Sequence, residues 1–482
     1  MNYLWTDEAE QFRHKTLEKD ISTDVCIIGG GIAGIMCAAK LTELGIDNVV
    51  LESKQIGRGI TKGTTAVLTA QHDTLYKDII KKYGLEKATQ YYNANISALH
   101  RIEEKAKTVE CDFEKMPSIM YSVGGNDGLR DEALALKYLG VKARYTTSPE
   151  LPFRVADAIE YEDAAQFHPL RFLNGVAAGL NIYENTFVRK LEGTTAFTDK
   201  GKVKAKKVIV ATHFPFINRY GLYFMKMYQK RSYVIAYSGA PNFNCTAEDA
   251  GNGFYFRNYK DLLLIGGGDH RTGKQGGGYR AVENFAKRWF PKAKEQYRWS
   301  NQDCVSLDGI PYIGRYSPSM PNVYVATGFN LWGMTTSVAA AEILADMITG
   351  KKNVNAPVFA PDRNMLCAKL FENMGITVAD MLFPTTKRCP HLGCALRKNK
   401  AEHSWDCPCH GSRFTETGEI IVPPPPRNER CGYLVLNRSR TFLRSAPKKT
   451  ILLFFKSRIA QCATHKERAT IKYQKSKIFD HQ

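Results

Sequence analysis

The run Val25-Cys26-Ile27-Ile28-Gly29-Gly30-Gly31-Ile32-Ala33-Gly34 leaves the N-terminal part of this chain few choices of fold. Four apolar residues read as a buried strand, a G-x-G-x-x-G turn follows, and the next stretch reads as a helix through Leu44. The spacing has a physical reason. Gly29 permits the tight turn, Gly31 lets the backbone approach a pyrophosphate, and Gly34 lets helix and strand pack, while the helix N-terminus faces the phosphates. A second strand ends at Glu52, 23 residues after Gly29, where a carboxylate can accept hydrogen bonds from a ribose diol. This βαβ opening is read as a dinucleotide-binding unit. By itself it does not separate NAD from FAD.

A chain of 482 residues, 44% hydrophobic and 24% charged, has the composition of a folded protein of two or three domains, which excludes global disorder. No stretch reaches the roughly 18 apolar residues of a spanning helix, and residues 1–20 lack the apolar core of a secretory signal, so the expected compartment is the cytoplasm. Residues 75–150 read as mostly helical, and residues 150–300 mix short strands with helices. A strand at 323–326 then runs through Gly328 into a helix ending near Gly350. An α/β domain carrying an inserted sheet domain is expected. The net charge of +19 is uneven: residues 427–482 hold 14 Lys or Arg against three acids. The basicity belongs mainly to the tail, which argues against nucleic acid as the partner of the body.

Four of the 12 cysteines fall within 21 residues, at 389, 394, 407 and 409. Cys389-Pro390-His391 and Cys407-Pro408-Cys409-His410 give C-x-H, fifteen residues, then C-x-x-H. Two thiolates and two imidazoles suit a tetrahedral zinc, but zinc fingers pair the cysteines in one half and the histidines in the other. Here each half supplies one of each. That favours a [2Fe–2S] cluster with two Cys on one iron and two His on the other. His403, between the two boxes, reads as a surface residue.

Further segments carry family resemblances. These are the loop Gly57-Arg58-Gly59-Ile60-Thr61-Lys62-Gly63-Thr64-Thr65, the strand Val208-Ile209-Val210-Ala211-Thr212, Asp308-Gly309-Ile310-Pro311-Tyr312-Ile313-Gly314, and Ala326-Thr327-Gly328-Phe329 leading to Gly333-Met334-Thr335. With the fingerprint, their order makes residues 20–350 resemble the FAD-dependent amine and amino-acid oxidoreductases of the D-amino acid oxidase and glycine oxidase superfamily. The resemblance implies FAD, bound by Gly29, Gly31, Gly34, Glu52 and Gly328, with Thr64 and Thr65 near the pyrophosphate and Val188 near the adenine. It also implies that Gly333, Met334 and Thr335 open a helix aimed at the flavin ring. His213 departs from the pattern, since such proteins commonly have Gly there. Residues 370–426 resemble a Rieske domain. That resemblance assigns Cys389, His391, Cys407 and His410 as ligands, implies that Cys394 and Cys409 face each other as a disulfide, and brings Ser412 to a cluster sulfur. Phe414 stands where high-potential members carry Tyr, so a lower potential is expected.

The expected architecture is α/β plus β: a Rossmann-like FAD-binding domain with an inserted mixed-sheet substrate domain, then a small all-β Rieske domain. Within residues 1–355 the FAD-binding parts are about 20–90, 150–215 and 305–350, and the substrate parts about 90–150 and 216–304. A linker at 356–369 leads to the Rieske domain at 370–426, with 432–436 as one further closing strand. The abrupt composition change at 427–482 reads first as an altered reading frame, with a solvated basic extension and a contact for nucleic acid or an anionic membrane as the alternatives. The expected activity is oxidation of an amine or amino acid by hydride transfer to FAD, because only a flavin divides a hydride's two electrons for a one-electron cluster. The final acceptor is not named by the sequence. A reductase running from a reduced carrier through the cluster to FAD is the first alternative, and a redox sensor without small substrate the second. Candidate catalytic residues are Tyr233, Tyr255, His270 and Arg257, the last as a carboxylate fork. Trp299, Asp303 and Trp332 are candidates to border the flavin against a reading as ordinary packing, and His168 is expected to be structural.

Overall fold

The computed structural model describes residues 3–10, 12–125, 128–217, 220–390, 393–409 and 411–422. The expected βαβ opening forms. Strand Ile21–Ile28 lies between Lys202–Val210 and Asn48–Leu51, parallel to both, and Asn48–Leu51 pairs in parallel with Ile182–Tyr183. Lys202–Val210 is long enough to serve two partners on its other side: Thr195–Phe197 near its start and the parallel strand Val323–Thr327 at its end. Helices Ile32–Glu43 and Gly333–Thr349 pack beside each other, and their alanine-rich faces bury into the main core.

The second sheet has eight strands in the order Lys294–Ser306, Met227–Ser238, Leu262–Arg271, Tyr255–Tyr259, Thr246–Asp249, Ser118–Ser122, Asp157–Tyr161 and Ala143–Thr146. It is mixed, since Thr246–Asp249 runs parallel to Ser118–Ser122 while its other pairs are antiparallel. Strand Asp157–Tyr161 belongs here, although the sequence reading gave residues 150–215 to the FAD-binding part.

Residues 356–369 are no loose linker. Ala356–Phe359 forms a short helix whose Ala356, Val358 and Phe359 are buried. A longer helix, Ala368–Leu382, precedes the cysteine loops, so the β part begins only beyond it. That part is an antiparallel meander of Arg397–Asn399, Ser404–Asp406, Arg413–Thr415 and Ile420–Val422. His391, His410, the strand expected at 432–436 and the whole tail at 427–482 lie outside the described residues. Among the described residues no helix is long and apolar enough to cross a membrane.

Candidate functional site

The glycine turn has the geometry its spacing requires. Gly29 sits at φ +113°, and a Cβ there would be 2.5 Å from the Ala211 carbonyl oxygen. A Cβ on Gly34 would strike the Gly29 carbonyl oxygen, whereas one on Gly31 would meet nothing closer than Thr61 Oγ1 at 3.5 Å. Gly31 is thus the glycine facing open space, at the N-cap of helix Ile32–Glu43. Glu52 Oε2 accepts the Gly30 N–H at 2.7 Å and its Oε1 accepts the Lys54 N–H at 2.8 Å, which fixes the carboxylate at the end of its strand. Val188 is buried with Tyr183 and Leu191 packed against the same cluster.

The loop carrying Thr64 and Thr65 is held through its carbonyls. Trp299 Nε1 donates to Gly63 O at 2.9 Å, Trp5 Nε1 to Thr64 O at 2.6 Å, and Arg257 Nε to Thr65 O. Beyond it, Thr335 Oγ1 donates to Thr69 O at 3.1 Å, joining the start of helix Gly333–Thr349 to strand Val67–Thr69. His72 stacks on Trp332 with ring centroids 4.9 Å apart, and burial pulls its pKa down to about 3, so the imidazole is neutral. Trp332 Nε1 donates to Asp73 Oδ2 at 3.3 Å.

Strand pairing divides the sheet next to this region into two faces. Lys230 pairs with Asp303, and Ser232 with Asn301. Because side chains alternate along a strand, these four share one face and their neighbours take the other. On the first face Lys230 Nζ lies 2.8 Å from Asp269 Oδ2. Glu248 hydrogen-bonds Asp73, and burial together with that neighbour pushes its pKa well up. Burial also raises Asp269, and it pushes Asp303 up to about 7 with the Asp269 charge adding to the effect. Lys230 is raised as well: burial opposes its charge most strongly, but Asp269, Asp73 and Tyr228 together outweigh it. The two directions agree physically, because one ammonium among four carboxylates stays charged while the acids still repel one another. Tyr255 borders this group and is pushed well up by burial.

The cysteine loops are a matched pair of turns. Cys389 N–H donates to Cys394 O at 2.8 Å and Cys407 N–H to Ser412 O at 2.8 Å, while Gly393 and Gly411 N–H return to Cys389 O and Cys407 O at 3.0 and 2.9 Å. A disulfide joins Cys394 to Cys409, and Cys389 and Cys407 stand outside it. All four sulfurs are buried, and those of Cys394, Cys407 and Cys409 lie within 4.8 Å of one another.

Residues 24–347 match the family model of the FAD dependent oxidoreductases called DAO, and residues 368–442 match that of the Rieske [2Fe-2S] domain. The chain is a DAO-family oxidoreductase with a Rieske domain. The Rieske match runs past Pro426 to residue 442. A Bacillus subtilis relative, YhfW, named as a Rieske 2Fe-2S iron-sulfur protein, is 31% identical over 484 residues, covering 87% of this chain and 95% of that one. The γ-glutamylputrescine oxidoreductase of Escherichia coli is 26% identical over 372 residues, 70% of this chain and 85% of that one. In structure the chain resembles glycine oxidase from Geobacillus kaustophilus, with TM-score 0.61 and 19% identity over 71% of this chain and 99% of that one.

The residues present fit both cofactors of such a protein, FAD and a [2Fe–2S] cluster. The open approach to Gly31 and the anchored Glu52 form a cradle for the nucleotide, and Gln71, fully buried, has both amide atoms without a partner. At the cysteine loops Ser412 Oγ is likewise buried without a partner. A cluster sulfide is the acceptor its position lacks.

The expected catalytic set divides. Tyr255 lies with the carboxylates, but Tyr233 and His270 point to the other face, where Tyr233 Oη meets His270 Nε2 at 2.9 Å and receives Asn399 Nδ2 of the Rieske domain at 3.2 Å. Arg257 is no fork for a substrate. Its guanidinium is spent on Thr65 O, on Gln166 Oε1 at 2.6 Å and on Phe167 O at 3.3 Å, and burial pulls its pKa down to about 9. His213 takes φ +65°, a conformation that favours glycine, the residue expected at this position from the resemblance. His168 caps helix Pro169–Ala177 through Nδ1 and packs against Trp5, a structural placement. Sequence reasoning missed Trp5, Gln71, His72, Asp73, Lys230, Glu248 and Asp269. None stands in a recognisable spacing, although Gln71-His72-Asp73 is an unusual polar triplet one residue after strand Val67–Thr69.

Proposed function

We propose that the protein oxidises an amine, with hydride passing to FAD and electrons leaving singly through the Rieske cluster to a one-electron acceptor. The observation that carries the substrate class is the group of Asp73, Glu248, Asp269 and Asp303 around Lys230. Four acids crowded beside one lysine favour a second cation, because a bound ammonium would relieve the burial and mutual repulsion that raise Glu248, Asp269 and Asp303. An α-amino acid would bring its own carboxylate to this face, where the nearby arginine is committed to backbone and amide oxygens. The γ-glutamylputrescine oxidoreductase relative is named for a substrate that carries an amine, which supports the amine half of this reading.

Within this reading the acids hold the substrate's distal or reacting nitrogen. Asp303, poised near neutral pH, takes up the proton an ammonium must lose before its carbon gives up hydride. The neutral His72 on Trp332 and the start of helix Gly333–Thr349 shape the opposite wall. Bound FAD would supply the two-electron acceptor, and the cluster a one-electron outlet.

The test is anaerobic mixing of the holoprotein with a diamine, a monoamine and an α-amino acid, following flavin absorbance and the low-temperature EPR signal of the cluster. Diamine or monoamine should bleach the flavin and raise the Rieske signal, and the amino acid should do neither. Bleaching only by a reduced protein donor would replace this reading with a reductase running the other way.

A further inference from the structure

The face of the sheet turned away from the carboxylates is built to receive the Rieske domain. Arg231 pairs with Gln302 and Tyr233 with Ser300 across neighbouring strands, and His270 pairs with Arg231 on the other side. These side chains, with Gln229, share one face. Glu402 of the Rieske domain enters this face between Arg231 and Arg413, and its side chain is wholly buried. Burial alone would raise its pKa, but the two guanidiniums hold it below the usual carboxylate range. Gln302 Nε2 donates to Gly411 O of the second cysteine loop at 2.8 Å and also to Gln229 Oε1. A Cβ on Gly411 would be 2.5 Å from Gln229 Cδ, and one on Gly273 would be 2.8 Å from Pro408 Cβ. Arg271 adds a contact to Pro408 O at 3.4 Å and one to Asn373 of the preceding helix.

Strand Lys294–Ser306 therefore touches both cofactor loops with consecutive residues. Asn301 packs against Gly63, where a Cβ would lie 2.8 Å from its Oδ1, and Gln302 holds Gly411 on the reverse side. We propose that this reverse face is a fixed seat for the second cysteine loop at Pro408 and Gly411, with Gln302 as its positioning residue, so that the Rieske domain works docked on the wall of the substrate site and does not swing. The seat deepens the proposed function, because it puts the cluster loop one sheet away from the substrate side within a single chain.

The buried charges argue for a lock over an incidental contact. Undocking would expose Glu402 and leave Arg231 without its carboxylate, and parting a buried hydrogen-bonded pair is far costlier than parting a surface one. The three glycines Gly273, Gly278 and Gly411 matter for closeness. Pro408 lies over Gly273, Ala401 over Gly278 and Gln229 over Gly411, all nearer than a side chain would allow without a shift.

The test uses the full-chain holoprotein without substrate. Hydrogen exchange is measured across residues 407–415, with flavin and iron quantified on the same samples. Gln302→Met removes the donor to Gly411 while keeping length, and should speed exchange in that segment about tenfold, equal to about 1.4 kcal/mol of local opening. Glu402→Gln keeps shape but weakens both arginine contacts, and should speed it by more while the flavin absorbance stays unchanged. Wild-type exchange at 407–415 in both iron-replete variants would overturn the seat. The readout is independent of turnover. An amine that fails to bleach the flavin would sink the proposed function and leave these exchange rates as they are.

Discussion

Arg257 shows how a residue's chemistry and its position can part company. Arginine on an inserted-domain strand is a natural carboxylate receptor, yet here the guanidinium stitches the Thr65 loop to Gln166 and Phe167. Arg257→Met should leave three acceptors without this donor, two of them in buried contacts, and destabilise the protein by about 3 kcal/mol or more. Since one of the three is the Thr65 carbonyl, the variant should also purify with less flavin per chain. The flavin-loaded fraction should show an unchanged KM for the amine. Full flavin content with a raised KM confined to carboxylate-bearing substrates would restore the fork reading.

At the scale of the element, the strand pair Met227–Ser238 and Lys294–Ser306 does two jobs because its side chains alternate. The acid side has a pH signature. Asp303 has a folded-state pKa of about 7, against about 3.9 for an unperturbed aspartate. Between those values the folded chain holds a proton that the unfolded chain has lost, so this group's contribution is present below about pH 3.9 and is lost as pH rises through about 7. Asp303→Asn removes the titration. Melting temperature should therefore fall in the wild type relative to the variant from about pH 4 to 7, and the gap should then stay constant. Thermal melts across that range test this, and parallel curves would count against it. The same alternation limits what the sequence shows. Tyr233, Tyr255 and His270 all read as pocket candidates on inserted strands, but their faces depend on cross-strand register and on the irregularity between Arg231 and Tyr233. No local spacing encodes that register. The glycine turn and the cysteine boxes were legible because their geometry is set within a few consecutive residues, and the carboxylate group was not, since Asp73, Glu248, Asp269 and Asp303 come from four separate segments.

For the molecule as a whole, the passage between the two domains is as firmly held as the seat. The linker expected at 356–369 rests on Lys, Asn and Pro breaking the pattern over 351–361, but composition does not report long-range pairing. Arg363 donates to both oxygens of Asp308 at 2.8 Å, its guanidinium lies 4.0 Å over the Tyr312 ring, and Tyr83 Oη donates to the same carboxylate at 2.8 Å. Asp308 belongs to the Asp308-Gly309-Ile310-Pro311 turn leading into strand Tyr312–Arg315, so the segment entering the Rieske domain is pinned to the FAD-binding sheet. Both charges are buried, at 8% and 1% side-chain exposure, which is what makes the removal of one partner expensive. Arg363→Met should destabilise the chain by about 3–5 kcal/mol by stranding Asp308. Burial would raise the Asp308 pKa, but Arg363 and Tyr83 hold it below the ordinary aspartate value. This contribution is therefore present above about pH 3.9 and is lost as pH falls through the lower folded value. In urea titrations the deficit of Arg363→Met should be widest at neutral pH and shrink in acid, where Asp308 takes a proton. A deficit that stays constant down to acid pH would mean that packing of the Arg363 stem on Tyr312, and not its charge, ties the two domains together.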